Sequence, residues 1–174
     1  MRSWRIDDRE PFADMNSDEV VMEHFPGLLA REESDAFVER ARASWQRGFG
    51  LWAVEWRETE SFIGYIGFAQ PQWHAHFTPC IEIGWRLCAA SWGRGLATEG
   101  ASAALAWARG NIVFPRDEVV SFTTVANLRS RRVMEKLGLV RDETGDFDHP
   151  LLPQWPHRRH VLYRMPIESG RLGG

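Results

Sequence analysis

The chain has 174 residues, 44% of them hydrophobic and 26% charged, which suits a single domain with a substantial core and is too short for two of ordinary size. A formal net charge of -3 leaves no electrostatic footprint for a nucleic acid. The opening MRSWRIDDRE lacks an apolar signal region and no apolar run nears the ~18 residues of a membrane span, so the expected setting is the cytoplasm, with no membrane partner. Cys80 and Cys88 fit that setting as reduced thiols: eight residues apart on one strand they stand about 26 Å apart at ~3.3 Å per residue, too far to bridge.

In chain order, Arg2 to Ile6 reads as the end of a short first strand. Asp7 or Asp8 caps a helix through Phe12 and Met15, and a second short helix after Ser17 ends near Pro26-Gly27. Glu32 to Arg47 carries helical apolar spacing at Phe37, Val38, Ala41 and Trp45, stopped by Gly48. Phe49–Trp56 and Phe62–Ala69 alternate as strands around the polar turn Arg57-Glu58-Thr59-Glu60, and Gly64 and Gly67 mark a close backbone approach or a bulge. Pro71 to Pro79 is a loop with His74 and His76.

Cys80 to Leu105 organises the rest. Ile81, Ile83, Trp85 and Leu87 alternate with Glu82, Gly84 and Arg86, the period of a strand. Gly93-Arg94-Gly95 is a glycine turn, and from Ala97 the residues Ala101, Ala104, Leu105, Ala108 and Ile112 share one helical face. A helix that starts from a glycine loop offers unpaired N–H groups and the positive end of its dipole, an anion site that most often takes phosphate. The glycines match neither GxxxxGK[ST] nor GxGxxG, since no lysine follows Gly95 and Thr98 stands at the third glycine position. Further on, Val119–Val125 is a β-branched strand. Asn127–Leu137 is a helix with Asn127 as N-cap and Gly138 just past its end, and Leu139-Val140-Arg141 starts another strand. Asp142 to His157 is an acidic, proline-rich loop, His160–Met165 a last strand, and residues 169–174 a frayed tail. The order predicts one mixed α/β domain over residues 1–174, with a central sheet of six to seven strands and helices on both faces.

Trp92-x-x-Gly95-x-Ala97 resembles the [Q/R]-x-x-G-x-[G/A] loop of the GNAT acetyltransferase superfamily, and WGRGLATE is similar to its variant in the subfamily of ribosomal-protein N-terminal acetyltransferases. A second stretch, Asn127-Leu-Arg-Ser130 to Gly138-Leu139, resembles the N-x-x-S/A…G-F/L signature that follows on the next strand-helix unit. The FDHPLLP…HRRHVLY ending is similar as well, so the likeness covers nearly the whole chain. It implies further first-strand residues ahead of Arg2 and early helices that wall an acceptor site.

The resemblance implies acetyl-CoA as co-substrate, direct transfer to a primary amine (a protein N-terminal α-amine or a small-molecule amine), and a sheet splayed to admit the thioester. Arg94, Gly95, Leu96, Ala97 and Thr98, after Gly93, would cradle the pyrophosphate with their amides. The main chain at Trp85, Arg86 and Leu87 would pair with the pantetheine arm, and an amide near Trp85 or Arg86 would face the oxyanion. Gly84 would bulge the strand and open the slot. Asn127 would bond the pantetheine arm or a water, and Glu82 would be the base, directly or through water. Met134 stands where many members carry a tyrosine acid, leaving Ser130 as the candidate acid. No metal is expected: His74-x-His76 lacks a fourth ligand at fitting spacing and reads as loop.

The residues leave other readings open. The acidic loop at Asp142, Glu143, Asp146 and Asp148 attracts a cationic amine or is simply solvated. The cluster from His157 to His160 meets an anionic acceptor group or is a solvated strand start. A non-catalytic acyl-CoA sensor of the same fold, or a nucleotide-binding α/β protein, would use the same glycine loop. A homodimer through edge strands or the last strand is compatible with the pattern.

Overall fold

The computed structural model describes residues 1–167. Arg2 does not open a strand. It makes a single antiparallel bridge to Ala53 before the chain turns at Ile6–Asp8 into a 3-10 turn. The expected first strand is therefore reduced to one bridge. The Asp8 carboxylate ends it locally, accepting from the Arg5 amide at 2.7 Å while pairing with the Arg2 guanidinium at 2.7 Å. Helix α1 (Arg9–Ser17) follows, then the single turn α2 (Glu19–Met22), where Asp18 accepts from the Val20 amide. Helix α3 (Arg31–Ser44) is capped by Glu33, whose carboxylate takes the Ala30 amide at 2.8 Å, and it relaxes into a 3-10 turn at Trp45–Arg47.

Strands β1 (Leu51–Trp56) and β2 (Ser61–Ala69) form an antiparallel hairpin, and β2 pairs antiparallel with β3 (Glu82–Leu87). Gly64 is required there: at φ 138° a Cβ would drive into the Arg86 carbonyl oxygen of β3. Helix α4 (Leu96–Asn111) returns the chain to β4 (Glu118–Thr124), which lies parallel to β3. Helix α5 (Leu128–Lys136) starts at Asn127, whose side chain accepts from the Ser130 amide at 3.1 Å, and ends at Gly138 with φ 88°. Two-residue strands β5 (Val140–Arg141) and β6 (Phe147–Asp148) both pair with β7 (Arg159–Pro166), which is antiparallel to β4.

The result is a seven-stranded mixed sheet in the order β1-β2-β3-β4-β7-β5, with β6 also on β7. Strand alternation sorts its two faces, with one interruption in β2 where Ile63 is the extra residue at the Val54/Glu55 register shift. Ile63, Ile66, Ile83 and Val119 pack under Ala101, Ala104, Leu105 and Ala108 of α4 and Met134 of α5. Ala53 and Tyr65 turn the other way, onto Phe12, Met15, Val38 and Ala41 of α1 and α3. A third cluster on that second side joins Phe77, Val120, Phe147 and Leu162. Strand β7 is interior to the sheet, so an association of two copies through the last strand has no free edge to use.

Between β3 and β4 the sheet opens. Their register holds one pair, Glu82 with Val120, and the Val120 amide donates to the Ile81 carbonyl at 3.1 Å. Beyond it the Ser121 hydroxyl, rather than an amide, reaches the Ile83 carbonyl at 2.8 Å. A bulge at Gly84 does not cause this parting, contrary to the sequence expectation. Pairing of β3 with β2 runs unbroken through Gly67–Gly84, and the one register shift in the hairpin lies at Val54/Glu55. Strand β4 stays paired with β7 on its other edge over seven consecutive residues while it parts from β3.

Candidate active site

The opening exposes one stretch of backbone. The Cys88 amide donates to the Ile63 carbonyl of β2 at 2.8 Å, so the even-numbered peptide groups of β3 turn to that side. Those of Ile83, Trp85 and Leu87 turn to the gap. The Ile83 carbonyl is taken by Ser121, and the Leu87 carbonyl by the Trp92 indole N–H at 2.8 Å. Among the described residues the Trp85 N–H and C=O have no hydrogen-bond partner, which opens both to an extended ligand lying against β3. By the same parity the Arg86 amide faces β2 and not the gap.

After β3 the chain makes a 3-10 turn at Ala89–Ser91 and passes through Gly93 (φ 75°) and Gly95 (φ 80°) into α4. Nothing lies within 4 Å of a Cβ built on either glycine, so the backbone conformation, and not crowding, calls for glycine. The first helical bond runs from the Glu99 amide to the Gly95 carbonyl, which leaves the amides of Leu96, Ala97 and Thr98 unpaired at the positive end of a 16-residue helix. Trp92, where the resembling loop has glutamine or arginine, ties the turn to the end of β3 and lies 4.8 Å beneath the Arg129 guanidinium. Arg94 projects away, 5.1 Å over Trp56.

A cavity of about 360 Å³ joins these parts, from Gly95, Ala97 and Thr98 along Trp85 to Val133, with Arg129, Arg132 and Lys136 at its border. A second cavity, about 220 Å³, lies on the α1–α3 side of the sheet and is floored by Glu82, Gly84 and Tyr65. The two share His24, Phe25, Trp85, Asn127 and Ser130. The two cavities therefore adjoin along that wall.

Glu82 supplies the carboxyl group. The part of its surface that is open faces the second cavity, and burial pushes its pKa up to about 8. Burial also raises the Tyr65 hydroxyl and lowers His24, and it drives His149 down to about 4 with help from His160. His160 is lowered by burial too, and its Nδ1 lies 2.7 Å from the Arg158 carbonyl. A carbonyl only accepts, so Nδ1 carries the proton and Nε2 is left as an acceptor in the neutral ring. Arg86 runs along the same face as Glu82, with its guanidinium 3.9 Å over the Phe25 ring and donating to the Asn16 side chain at 2.6 Å. Asn16 in turn donates to Ser34 at 3.0 Å, a buried chain that pins β3 to α1 and α3.

Asn127 is occupied structurally at both ends of its amide, accepting from Ser130 and donating to Thr123 at 3.0 Å. The Ser130 amide makes that cap, and its hydroxyl makes no hydrogen bond among the described residues. Met134 is buried in the core at 1% exposure and lines neither cavity. The acidic loop is committed elsewhere: Asp142 to Arg164, Asp146 to Arg141, and Asp148 to Arg158 and Arg159. His74 and His76 line neither cavity.

Sequence reasoning missed the second cavity's walls: His24, Phe25, Phe122, His149, Leu152 and Trp155 come from three separate segments, with no spacing to connect them. His160 was singled out only as part of a basic cluster, and one signal did point inward. It alternates with Leu162 on the buried side of β7, which marks it as facing in while Arg159 faces out.

The model of the acetyltransferase (GNAT) domain family matches residues 1–140. YkkB of Bacillus subtilis (strain 168), described as an uncharacterized protein, is 29% identical over 130 residues, 74% of this chain and 73% of YkkB. YoaA of the same organism, described as an uncharacterized N-acetyltransferase, is 28% identical over 134 residues, 75% of this chain and 72% of YoaA. Among solved structures, a GNAT-family acetyltransferase from Bacillus anthracis superposes with a TM-score of 0.73 at 24% identity, covering 95% of this chain and 92% of that one.

Proposed function

We infer that this chain, which belongs to the GNAT acetyltransferase family, moves an acetyl group from acetyl-CoA to the nitrogen of a primary amine by direct transfer within a ternary complex. The observation that carries this reading is the meeting of two cavities at one wall. One has an anion-binding helix start and an unpaired peptide group, and the other a buried carboxyl.

The first cavity fits the co-substrate. Amides from Arg94 to Thr98 would hold the pyrophosphate, with Arg129, Arg132 and Lys136 near enough to add charge. The Trp85 carbonyl would accept from a pantetheine amide, in the manner of an added strand. The second cavity admits the amine as R–NH₃⁺, whose charge lowers the Glu82 pKa and leaves a carboxylate to take one proton, directly or through a water. The freed lone pair attacks the thioester carbon, and the Trp85 N–H faces the oxygen that gathers charge. The carbon–sulfur bond then breaks, the acylated nitrogen gives up its second proton, and the thiolate gains one, relayed through the Ser130 hydroxyl or a water that ends in its starting state. Overall R–NH₃⁺ and acetyl-CoA give the amide, CoA and one proton.

Two further assignments belong to this reading. A cytoplasmic setting is supported by two free cysteines and by the absence, among the described residues, of any helix long and apolar enough to cross a membrane. A homodimer would use the outer strands β1 or β5. The test is calorimetric titration with acetyl-CoA beside ATP and NAD. Micromolar binding of acetyl-CoA alone, followed by CoA release when an amine is added, is expected. Binding of ATP or NAD in preference would overturn the assignment.

A further inference from the structure

The acceptor cavity has a composition that bears on which amine it takes. Its far wall is aromatic and continuous: Phe122 lies 6.2 Å from His160 and 6.5 Å from His149, these two rings are 5.3 Å apart, and Trp155 is 6.2 Å from His160. Phe147 and Trp73 back that wall edge-on to Phe122 at 5.5 and 5.6 Å, so it is a packed surface and not a set of mobile rings. Phe25 and Leu152 complete the apolar lining.

Charge is scarce. Glu82 is the one carboxylic acid lining the cavity among the described residues. The acids of the 142–148 loop are each paired with an arginine that does not line the cavity, Asp148 with both Arg158 and Arg159. Burial lowers the three lining histidines, and the nearest fixed cation, the Arg86 guanidinium over the Phe25 and Tyr65 rings, is held by Asn16, which leaves the lining itself with no fixed cation for an anionic acceptor and no second anion for a dication. The volume, about 220 Å³, is below the ~300–1,000 Å³ of cavities that take drug-sized ligands.

We propose that this cavity selects a compact monoamine with one positive charge and a flat apolar or aromatic body, its nitrogen at Glu82 and its body against Phe122, Trp155 and the paired imidazoles. The proposal rests on the acetyl-transfer reading and adds the acceptor class. A monocation gains from aromatic faces as well as from the single carboxylate. A polyamine would bury a second ammonium with no partner, at a desolvation cost the cavity does not offset. A peptide N-terminus brings polar amide groups to a wall that offers them few partners.

The test compares initial rates of CoA release with phenethylamine, spermidine and a short alanine-initiated peptide, and repeats them on Trp155→Ala. Phenethylamine is expected to lead by about tenfold or more in kcat/KM. Trp155→Ala is expected to raise its KM about tenfold, a factor worth ~1.4 kcal/mol, with kcat changed less than about threefold. Trp155 sits in a loop and is partly exposed, and an unchanged KM for acetyl-CoA checks that the variant is folded. Trp155→Phe, which keeps a ring, is expected to restore most of the loss. A lead for spermidine or the peptide, or equal KM values for wild type and Trp155→Ala, overturns the proposal. Failure to bind acetyl-CoA at all would instead strike the acetyl-transfer reading beneath it.

Discussion

The two halves of the site are built from different material. The donor side is backbone: unpaired amides at the start of α4, two left-handed glycines and the free peptide group of Trp85. The acceptor side is side chain: one carboxyl, three imidazoles and a wall of rings brought together from the α2–α3 connection, β2, β3, β4, the 142–157 loop and β7. A backbone site tolerates changes of side chain and fails when the backbone or the local charge is altered. A side-chain site behaves the opposite way. Substitutions on the two sides should therefore separate cleanly, binding of acetyl-CoA on one and turnover or acceptor choice on the other.

The sharpest break of that contrast is Gly95→Glu, which forces a side chain onto a φ of 80° and puts an anion into an anion site. It should weaken acetyl-CoA binding by about 100-fold or more by calorimetry. Arg94→Ala, in the neighbouring residue, should change it by less than about threefold, since that side chain leans over Trp56. A large loss at Arg94 would mean that side chains hold the donor after all.

Ser130→Ala makes a finer distinction. Its amide makes the α5 cap and survives the change, so the helix should stand, and only the hydroxyl is removed. We expect kcat to fall about three- to tenfold with the Kd for acetyl-CoA unmoved, which steady-state rates and calorimetry would read. An unchanged kcat would assign the departing proton to water.

The smallest effect is on stability. Because folding raises the Glu82 pKa to about 8, the folded state holds its proton more tightly than the unfolded one. Glu82 therefore costs nothing below the unfolded value near 4.5, and destabilises progressively as pH rises from there through 8. Glu82→Gln should melt at least several degrees above wild type at pH 9 and nearly with it at pH 4, by thermal scans at both pH values.

The same division explains what could be read from sequence. The loop was legible because a backbone site needs glycine at particular places, and Gly93 and Gly95 stand at them. Asn127 and Gly138 were legible as helix ends for the same reason. The first strand was misjudged because Arg2 and Trp4 are held by side chains, Arg2 to Asp8 and Glu55 and Trp4 to the Leu51 carbonyl, while the ladder itself is a single bridge. Strand β6 has two residues, Phe147 and Asp148, too few to show a period. The acceptor wall was opaque because no local rule links His24 to Phe122 or Trp155. Only tertiary packing does.

The central claim is that Glu82 takes the amine's proton where the two cavities meet. The most direct test is the single-turnover rate of acetyl transfer at saturating acetyl-CoA and amine, measured from pH 6 to 10 for wild type and Glu82→Gln. Wild type should rise with pH through an inflection at or below about 8, since a bound ammonium lowers the carboxyl's pKa from its free value. The variant should bind acetyl-CoA normally, run about 100-fold slower and lose that inflection. Equal rates with the same inflection in both proteins would contradict the account and leave the proton to solvent.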